Sequence, residues 1–217
     1  MATGTVNRFR MARGRLLARQ IDTLADRLGR KLEVLDVGGR ETYWTNVPTQ
    51  NLRRVVVLNP SLDDAEQVGD PALFHYVAGD GRDLSGFADQ SIDLVHSNSV
   101  IEHVGLWSDM KAMAGEVRRV GRSGWIQTPA WEFPVEPHFR LPFVHWMGQP
   151  MRRRLIALVP PYRGMSLSER RFYVDLSNLL SFPEFRALFP DCAVHVERVI
   201  FRKSYTARWM PDGTPLP

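Results

Sequence analysis

The 217-residue sequence has a single cysteine, no internal repeat and no apolar run as long as a membrane span. One cysteine cannot form an internal disulfide, and Cys192 stands outside any metal-ligand spacing, which favours a small buried apolar residue. No stretch approaches the roughly 20 apolar residues that cross a bilayer, and no apolar segment follows the basic amino terminus. These absences predict a cytoplasmic protein with no stable membrane insertion.

A concentrated basic surface is also missing, although the chain carries a net charge of +4 and has a pI of about 9.6. Nucleic-acid-binding domains gather Lys and Arg in a stripe with interleaved aromatic residues, or carry a known module. Here the Arg residues are scattered, and the densest group, 152–154, is typical of the solvated start of a helix. The composition therefore predicts no nucleic-acid partner.

Four short segments in the first half of the chain each combine an apolar β-branched run with Gly, Asp or Asn. They are Leu-Glu-Val-Leu-Asp-Val-Gly-Gly (32–39), Val-Val-Val-Leu-Asn-Pro (55–60), Ala-Gly-Asp-Gly-Arg-Asp-Leu (78–84) and Ser-Ile-Asp-Leu-Val-His-Ser-Asn-Ser-Val-Ile-Glu-His-Val (91–104). Buried parallel strands have this composition when their carboxyl ends carry a ligand site. The pattern predicts an α/β domain that binds a small molecule.

The rest of the chain fits one domain over residues 1–217. Apolar residues at spacings of three and four predict helices at 15–29 and 108–119, and a further helix is expected at about 182–189. The link after Gly39 is too short for more than one or two helical turns. Residues 130–165 are rich in Pro, Met and aromatic residues and predict a cap inserted after strand five. Residues 193–208 predict one long strand or two.

In content and order, the four segments resemble the motifs of class I S-adenosylmethionine (SAM)-dependent methyltransferases, across roughly residues 30–130. The resemblance implies a doubly wound, mostly parallel seven-stranded sheet of Rossmann-like type. It also implies SAM as cofactor, bound at the carboxyl ends of strands one to four, and methyl transfer (EC 2.1.1.-) as the activity.

The first motif places Asp36, Gly38 and Gly39 at the end of strand one, where glycines let the backbone approach a cofactor. A structural turn alone would also explain two glycines. The family usually has a third glycine where this chain has Glu41. The side chains expected to line the methionine end of the cofactor instead are Arg40, Tyr43 or Trp44.

The second and third motifs carry the expected contacts to the adenosine. Asn59 stands where the family has an acidic residue for the ribose hydroxyls, and its side-chain carbonyl can still accept a hydrogen bond. The resemblance assigns Asp80 to the adenine, with Gly81 allowing a tight turn. Asp83 is interpreted as a structural residue, such as a helix N-cap.

The fourth motif leads toward the transferred methyl group, and the resemblance places Asn98 and Ser99 beside it. A hydroxyl acceptor must lose a proton, and His is the usual base at neutral pH. In the predicted cap, His138 or His145 is the candidate base, and Glu136 is expected to orient the acceptor. The histidines at 75, 96 and 195 lie on or beside strands and are interpreted as structural.

A metal site is the alternative for the same residues. Glu102 and His103, with Glu136 and His138, offer carboxylate and imidazole ligands that could hold a divalent ion such as Mg²⁺. Some members of the family have another carboxylate where this chain has Ser99.

The segment 128–146 resembles the cap of actinobacterial sugar O-methyltransferases of methylmannose polysaccharide biosynthesis. This implies a mannoside or oligosaccharide acceptor, with Trp131 and Trp146 as candidates for stacking on sugar rings. An aromatic or quinone-like hydroxyl is the alternative acceptor, and a non-catalytic cofactor-binding module is the alternative outside enzymes. Exposed apolar surface on the cap would make a homodimer reasonable.

Overall fold

A computed structural model of the chain describes residues 8–62, 70–211 and 216. Seven strands form one sheet in the order β3-β2-β1-β4-β5-β7-β6. They are β1 (Leu32–Val37), β2 (Leu52–Asn59), β3 (Phe74–Ala78), β4 (Ile92–Asn98), β5 (Gly121–Pro129), β6 (Ala193–Arg198) and β7 (Arg202–Trp209). Strands β1 to β5 are parallel, and β7 runs antiparallel to β5 and β6. The predicted mostly parallel, seven-stranded sheet is confirmed.

The central strands β1 and β4 are buried along nearly their whole length because helices cover both faces of the sheet. Val34 and Leu94 pack into one core with α1 and α2, whereas Leu35 and Val95 pack into the other with α3 and α6. The helices are α1 (Arg8–Leu28), α2 (Glu41–Trp44), α3 (Trp107–Val120), α4 (Gln149–Leu155), α5 (Leu167–Asp175) and α6 (Phe182–Leu188). The sheet is therefore doubly wound, as predicted.

The predicted helices are present, with shifted ends. Helix α1 extends back to Arg8, and the apolar stripe expected for 15–29 is buried on the sheet. The first crossover contains only the four residues of α2, because the chain returns to β2 after a few more residues. The segment 193–208 forms two strands, since the chain turns back between Val199 and Phe201.

Residues 130–180, called the cap below, follow β5 and precede α6. The cap contains α4, α5 and 3₁₀ turns at 144–146, 156–158 and 160–162, and it has a small core of its own that includes Phe139 and Val174. The N–H of Trp131 donates to the carbonyl of Leu180 at 2.9 Å, so both ends of the cap meet beside the carboxyl end of β5. The single domain over 1–217 and the insertion boundaries 130–165 stay predictions.

Among the described helices, none combines the length and the apolar character that a bilayer crossing requires.

Candidate active site

A cavity of about 250 Å³, called the strand-end cavity here, opens at the carboxyl ends of β1 and β4. Its lining consists of Arg10, Asp36, Gly38, Gly39, Arg40, Thr42, Tyr43, His96, Asn98 and Ser99. The structure thus brings together the predicted residues of the first and fourth motifs. The predicted residues Asn59, Asp80 and Gly81 are not part of this lining.

The two glycines after β1 have no room for a side chain. Gly38 has a φ of +68°, and a Cβ there would lie 2.6 Å from the methyl groups of Val100. A Cβ on Gly39 would lie 1.9 Å from a carboxylate oxygen of Asp36. Both glycines are therefore required by packing, and the bare backbone that results also forms part of the cavity wall.

The carboxylate of Asp36 is fully buried and organises the floor of the cavity. It accepts a hydrogen bond from Nε1 of Trp44 at 2.8 Å and lies 2.6 Å from Nδ1 of His96. The contact with Asp36 uses Nδ1, so Nε2 is the ring nitrogen of His96 that is left for another partner. This Nε2 is buried and has no hydrogen-bond partner among the described residues.

The predicted adenosine contacts lie at the ends of β2 and β3, outside the lining of the cavity. Nδ2 of Asn59 donates to the carbonyl of Gly39 at 3.0 Å and so fastens β2 to the glycine turn. The carboxylate of Asp80 is exposed and accepts hydrogen bonds from Arg82, which lower the pKa of Asp80. A Cβ on Gly81 would lie 2.6 Å from Val37, which explains that glycine by packing. Asp83 accepts from the backbone N–H of Ser85 in a local turn, not at a helix start.

Glu41, which stands in place of the family's third glycine, accepts a hydrogen bond from the hydroxyl of Tyr76 in β3. Its side chain is buried, and it ties α2 to the edge of the sheet. Of the side chains expected to line the cavity instead, Arg40 and Tyr43 do so, whereas Trp44 is buried behind them.

A second group of polar side chains follows β4 and is called the histidine cluster: Glu102, His103, Glu136 and His138. Glu102 is completely buried in the 3₁₀ turn Ile101–His103, and burial raises the pKa of its carboxyl. Oε2 of Glu102 accepts from the hydroxyl of Thr128 at 2.9 Å, but Oε1 has no partner among the described residues. The 3₁₀ turn and the cap thus bring Glu102 and His103 close to Glu136 and His138.

Both histidines of the cluster are held through Nδ1. Nδ1 of His103 donates to the carbonyl of Leu176 at 2.6 Å, and Nδ1 of His138 lies 2.6 Å from Oε1 of Glu136. The two rings meet edge to face, with centroids 4.5 Å apart. Burial alone would lower the pKa of His138, but its hydrogen bond and attraction to Glu136 outweigh burial and raise it.

Both carboxylate oxygens of Glu136 have hydrogen-bond partners. Besides His138, Glu136 binds the backbone N–H of Phe139 at 2.6 Å and the hydroxyl of Ser177 at 3.1 Å. Burial would raise the pKa of Glu136, yet these hydrogen bonds and the charge of His138 lower it. Glu136 therefore fixes the ring of His138.

His145 is not part of the histidine cluster. It lines a second cavity, called the cap cavity, which has a volume of about 280 Å³. This cavity is lined by Gly105, Leu106, Trp107, Met110, Trp131, His145, Arg152, Ser177, Asn178, Leu179, Leu180 and Glu184. Nε2 of His145 donates to the carbonyl of Trp131 at 2.9 Å, and burial lowers the pKa of the ring. Its Nδ1 is buried without a described partner.

The histidine cluster is linked to the cap cavity through Ser177. Ser177 lines that cavity, and its hydroxyl lies 3.0 Å from Nδ1 of His138. At the strand-end cavity, Ser99 donates to the side chain of Gln127. The linings of the two cavities do not include the four residues of the cluster itself.

The chain matches known proteins in sequence over one region and in fold over most of its length. Residues 35–126 match the family model described as a methyltransferase domain. These residues therefore form a methyltransferase domain. The matched region contains the four motifs, apart from residues 32–34 of the first, and the lining of the strand-end cavity except for Arg10. No curated protein matches the whole sequence significantly.

Solved methyltransferases share the fold at low sequence identity. The bifunctional kinase-methyltransferase WbdD has a TM-score of 0.54 and 14% identity, over 90% of this chain and 39% of that chain. An O-methyltransferase family protein from Burkholderia thailandensis has a TM-score of 0.54 and 15% identity, over 94% of this chain and 59% of that chain. The 1,6-didemethyltoxoflavin-N1-methyltransferase of the same organism has a TM-score of 0.50 and 15% identity, over 90% and 78%. The chain therefore spans well under two thirds of the first two, and the likeness shows the fold.

The strand-end cavity fits a polar cofactor. His96 and Asn98 line the cavity, and Nε2 of His96 and Oδ1 of Asn98 are buried with no hydrogen-bond partner among the described residues. Such atoms are normally satisfied, so a ligand with polar groups is the expected partner. The sequence analysis interpreted His96 as structural, and the contact of its Nδ1 with Asp36 fits that role, but its Nε2 is left without a partner among the described residues. The sequence feature that could have identified His96 as a site residue is its position in the fourth motif, two residues before Asn98.

Proposed function

We propose that this methyltransferase transfers the methyl group of SAM to a sugar hydroxyl, in a mannoside or oligosaccharide precursor of a methylated polysaccharide. The observation that carries the proposal is the imidazole–carboxylate pair of His138 and Glu136, which Ser177 links to the cap cavity. SAM, when bound, supplies an electrophilic methyl group on a sulfonium. A hydroxyl is a weak nucleophile until its proton is removed, so a group beside it must promote that loss.

In the cofactor site, we assign the backbone at Gly38 and Gly39 and the side chains of Asp36, Asn98 and Ser99 to the strand-end cavity. Asn59, Asp80 and Gly81 are proposed to contact the adenosine at the edge of this cavity. Their placement at neighbouring strand ends supports the proposal, since parallel sheets bind ligands there.

His138 is the proposed activator of the acceptor hydroxyl. Glu136 holds its Nδ1, which leaves Nε2 as the ring nitrogen for a further partner. This arrangement of carboxylate, imidazole and reacting hydroxyl is the one that proton removal requires. His145 uses Nε2 to bind the carbonyl of Trp131, so we propose that it positions the acceptor in the cap cavity.

The cap cavity suits a sugar because it combines aromatic faces with hydrogen-bonding groups. Trp131 is 39% exposed, and its ring lies 5.9 Å from that of Trp146, which is 41% exposed. Ser177, Asn178 and Arg152 line the same cavity and can bond to hydroxyl groups. Aromatic rings stack on the apolar faces of sugars while polar neighbours bind the edges.

An aromatic or quinone-like hydroxyl is the second candidate acceptor. The exposed rings of Phe143 and Trp146, 5.2 Å apart, continue the aromatic surface of the cap and favour this candidate. The sequence also suggests a divalent ion, such as Mg²⁺, at Glu102 and His103. We propose that such an ion could activate either acceptor.

Mass spectrometry of reactions with SAM and a panel of acceptors tests the proposal. The panel pairs mannosides and short mannose oligosaccharides with catechols and hydroquinones. We expect methylated sugar with the wild type, no product with His138→Ala, and unchanged product with His195→Asn, a histidine of β6. Methylation of the phenols alone would overturn the sugar assignment, and full turnover by His138→Ala would overturn the role of His138.

A further inference from the structure

We propose that Glu102, His103 and His138 are the protein ligands of a divalent transition-metal ion that binds the acceptor hydroxyl. The inference rests on the proposed function, because it names the means by which the hydroxyl is activated. It narrows the four residues of the histidine cluster to three ligands and one holding residue, Glu136. It also replaces the Mg²⁺ suggested by the sequence with a different class of metal.

The first observation is convergence from separate parts of the chain. One potential ligand atom from each of Glu102, His103 and His138 lies within 4.8 Å of the other two. The first two residues belong to the 3₁₀ turn after β4, and the third comes from the cap. Ligand atoms stand about 2.0–2.2 Å from such ions, hence roughly 3–4 Å from each other, so a small inward movement closes the site.

The second observation is the orientation of both rings. Each histidine donates its Nδ1–H to an oxygen: His103 to the carbonyl of Leu176, and His138 to the carboxylate of Glu136. Metal-ligating histidines are almost always held in this way, which fixes the tautomer and raises the basicity of the other nitrogen. The carboxylate of Glu136 also binds Phe139 N–H and Ser177, so it is committed to holding His138.

The third observation is the unpartnered oxygen of Glu102. The residue has no exposed surface, Thr128 satisfies only Oε2, and Oε1 has no partner among the described residues. A buried carboxylate oxygen without a partner is unfavourable, and buried charges are normally paired or bound to a metal. A cation between Glu102 and the two imidazoles supplies the missing partner.

The donor set selects the class of metal. Two imidazoles and one carboxylate are the ligands of sites that hold Fe²⁺ and similar ions with open coordination positions. Mg²⁺ prefers oxygen ligands and keeps several waters, so it is a poorer match. Three protein ligands would leave open positions on such an ion, one of which could take an acceptor hydroxyl.

The bound ion would activate the acceptor as a Lewis acid. Coordination lowers the pKa of the bound hydroxyl, whose proton leaves to solvent. The oxygen lone pair then forms the new bond to the methyl carbon, and the electrons of the carbon–sulfur bond return to sulfur. With the ion bound, Nε2 of His138 would activate the hydroxyl through the metal, in place of the direct proton removal available to the metal-free imidazole.

Cobalt titration of the chelator-treated, tag-free protein tests the metal site without any acceptor. We expect one Co²⁺ per chain, with visible absorption bands that differ from those of aqueous cobalt, and displacement by Zn²⁺ but not by equimolar Mg²⁺. Glu102→Gln, His103→Asn and His138→Asn should each weaken binding by about 10–100-fold or more, and Glu136→Gln by about tenfold. His195→Asn is the matched control and should bind cobalt like the wild type.

Circular dichroism and calorimetry with SAM confirm that each variant is folded. Absence of cobalt binding by the folded wild type, or wild-type binding by the three folded ligand variants, would overturn the metal site. Cobalt binding without methylation of any sugar would refute the proposed acceptor and leave the metal site standing. Sugar methylation by a protein that binds no cobalt would leave the proposed function and refute the metal site.

Discussion

Replacing Gly39 by Ala puts a methyl group where the buried carboxylate of Asp36 stands. The new Cβ would lie 1.9 Å from Oδ2 and 2.0 Å from Cγ of Asp36, so the carboxylate must move. It would then lose its hydrogen bonds with Trp44 and His96. Hydrogen bonds to a buried charged group contribute about 1.5–3 kcal/mol each, so the free energy of unfolding should fall by about 3–5 kcal/mol.

Thermal unfolding followed by circular dichroism measures this loss. A domain of this size changes its Tm by about 2–4 °C per kcal/mol, so Gly39→Ala should lower Tm by roughly 6–20 °C. Calorimetry with SAM should show at least about tenfold weaker binding, or 1.4 kcal/mol, because Gly39 and His96 both line the strand-end cavity.

Gly115→Ala provides the matched control. Gly115 lies within α3, and a Cβ there would meet nothing within 4 Å. Alanine is the better helix former, so this change should stabilise the protein by about 0.5–1 kcal/mol and leave SAM binding unchanged. If Gly39→Ala has the Tm and SAM affinity of the wild type, the reasoning about the crowded carboxylate is wrong.

Three further predictions concern the active site and the sheet. His138→Asn should reduce turnover by at least about 100-fold. The Kd for SAM should stay within about twofold, because the change is confined to the acceptor side. Steady-state assays measure the turnover, and calorimetry measures the Kd. Trp131→Ala should raise KM for a sugar acceptor about tenfold with little change in kcat, and an unchanged KM would remove Trp131 from the acceptor site. Asp93 is buried, and although burial raises its pKa, hydrogen bonds from Arg30 and from the N–H of Glu33 lower it. A carboxyl whose pKa is lowered on folding stabilises the protein above its unfolded value of about 3.9, and this stabilisation is lost as the pH falls through the folded value. Asp93→Asn should therefore cost about 2 kcal/mol at pH 7, measured by urea unfolding, and the difference from the wild type should disappear in acid.

The fold of this chain could be predicted from local sequence patterns. In β1 and β4, apolar residues point to both faces of the strand, such as Val34 and Leu35 or Leu94 and Val95. Both faces therefore need cover, which implies helices on either side of a parallel sheet. The stripe of α3 requires one buried face, and Met113 and Val117 are indeed inaccessible. These features were predictable because strand and helix periodicity depend on neighbours along the chain.

The sequence also determined which residues stand at the strand ends, since Gly38, Gly39, Asn98 and Ser99 follow their strands directly. Only the tertiary structure decided how those residues and the cap histidines are used. It placed Asp36 against Nδ1 of His96, 60 residues away, and left Nε2 of this strand histidine without a partner among the described residues. It brought His138 to Glu102 and left His145 in a different cavity. These outcomes depend on hydrogen bonds between distant segments, such as that from His103 to Leu176, and no periodicity along the chain encodes such contacts.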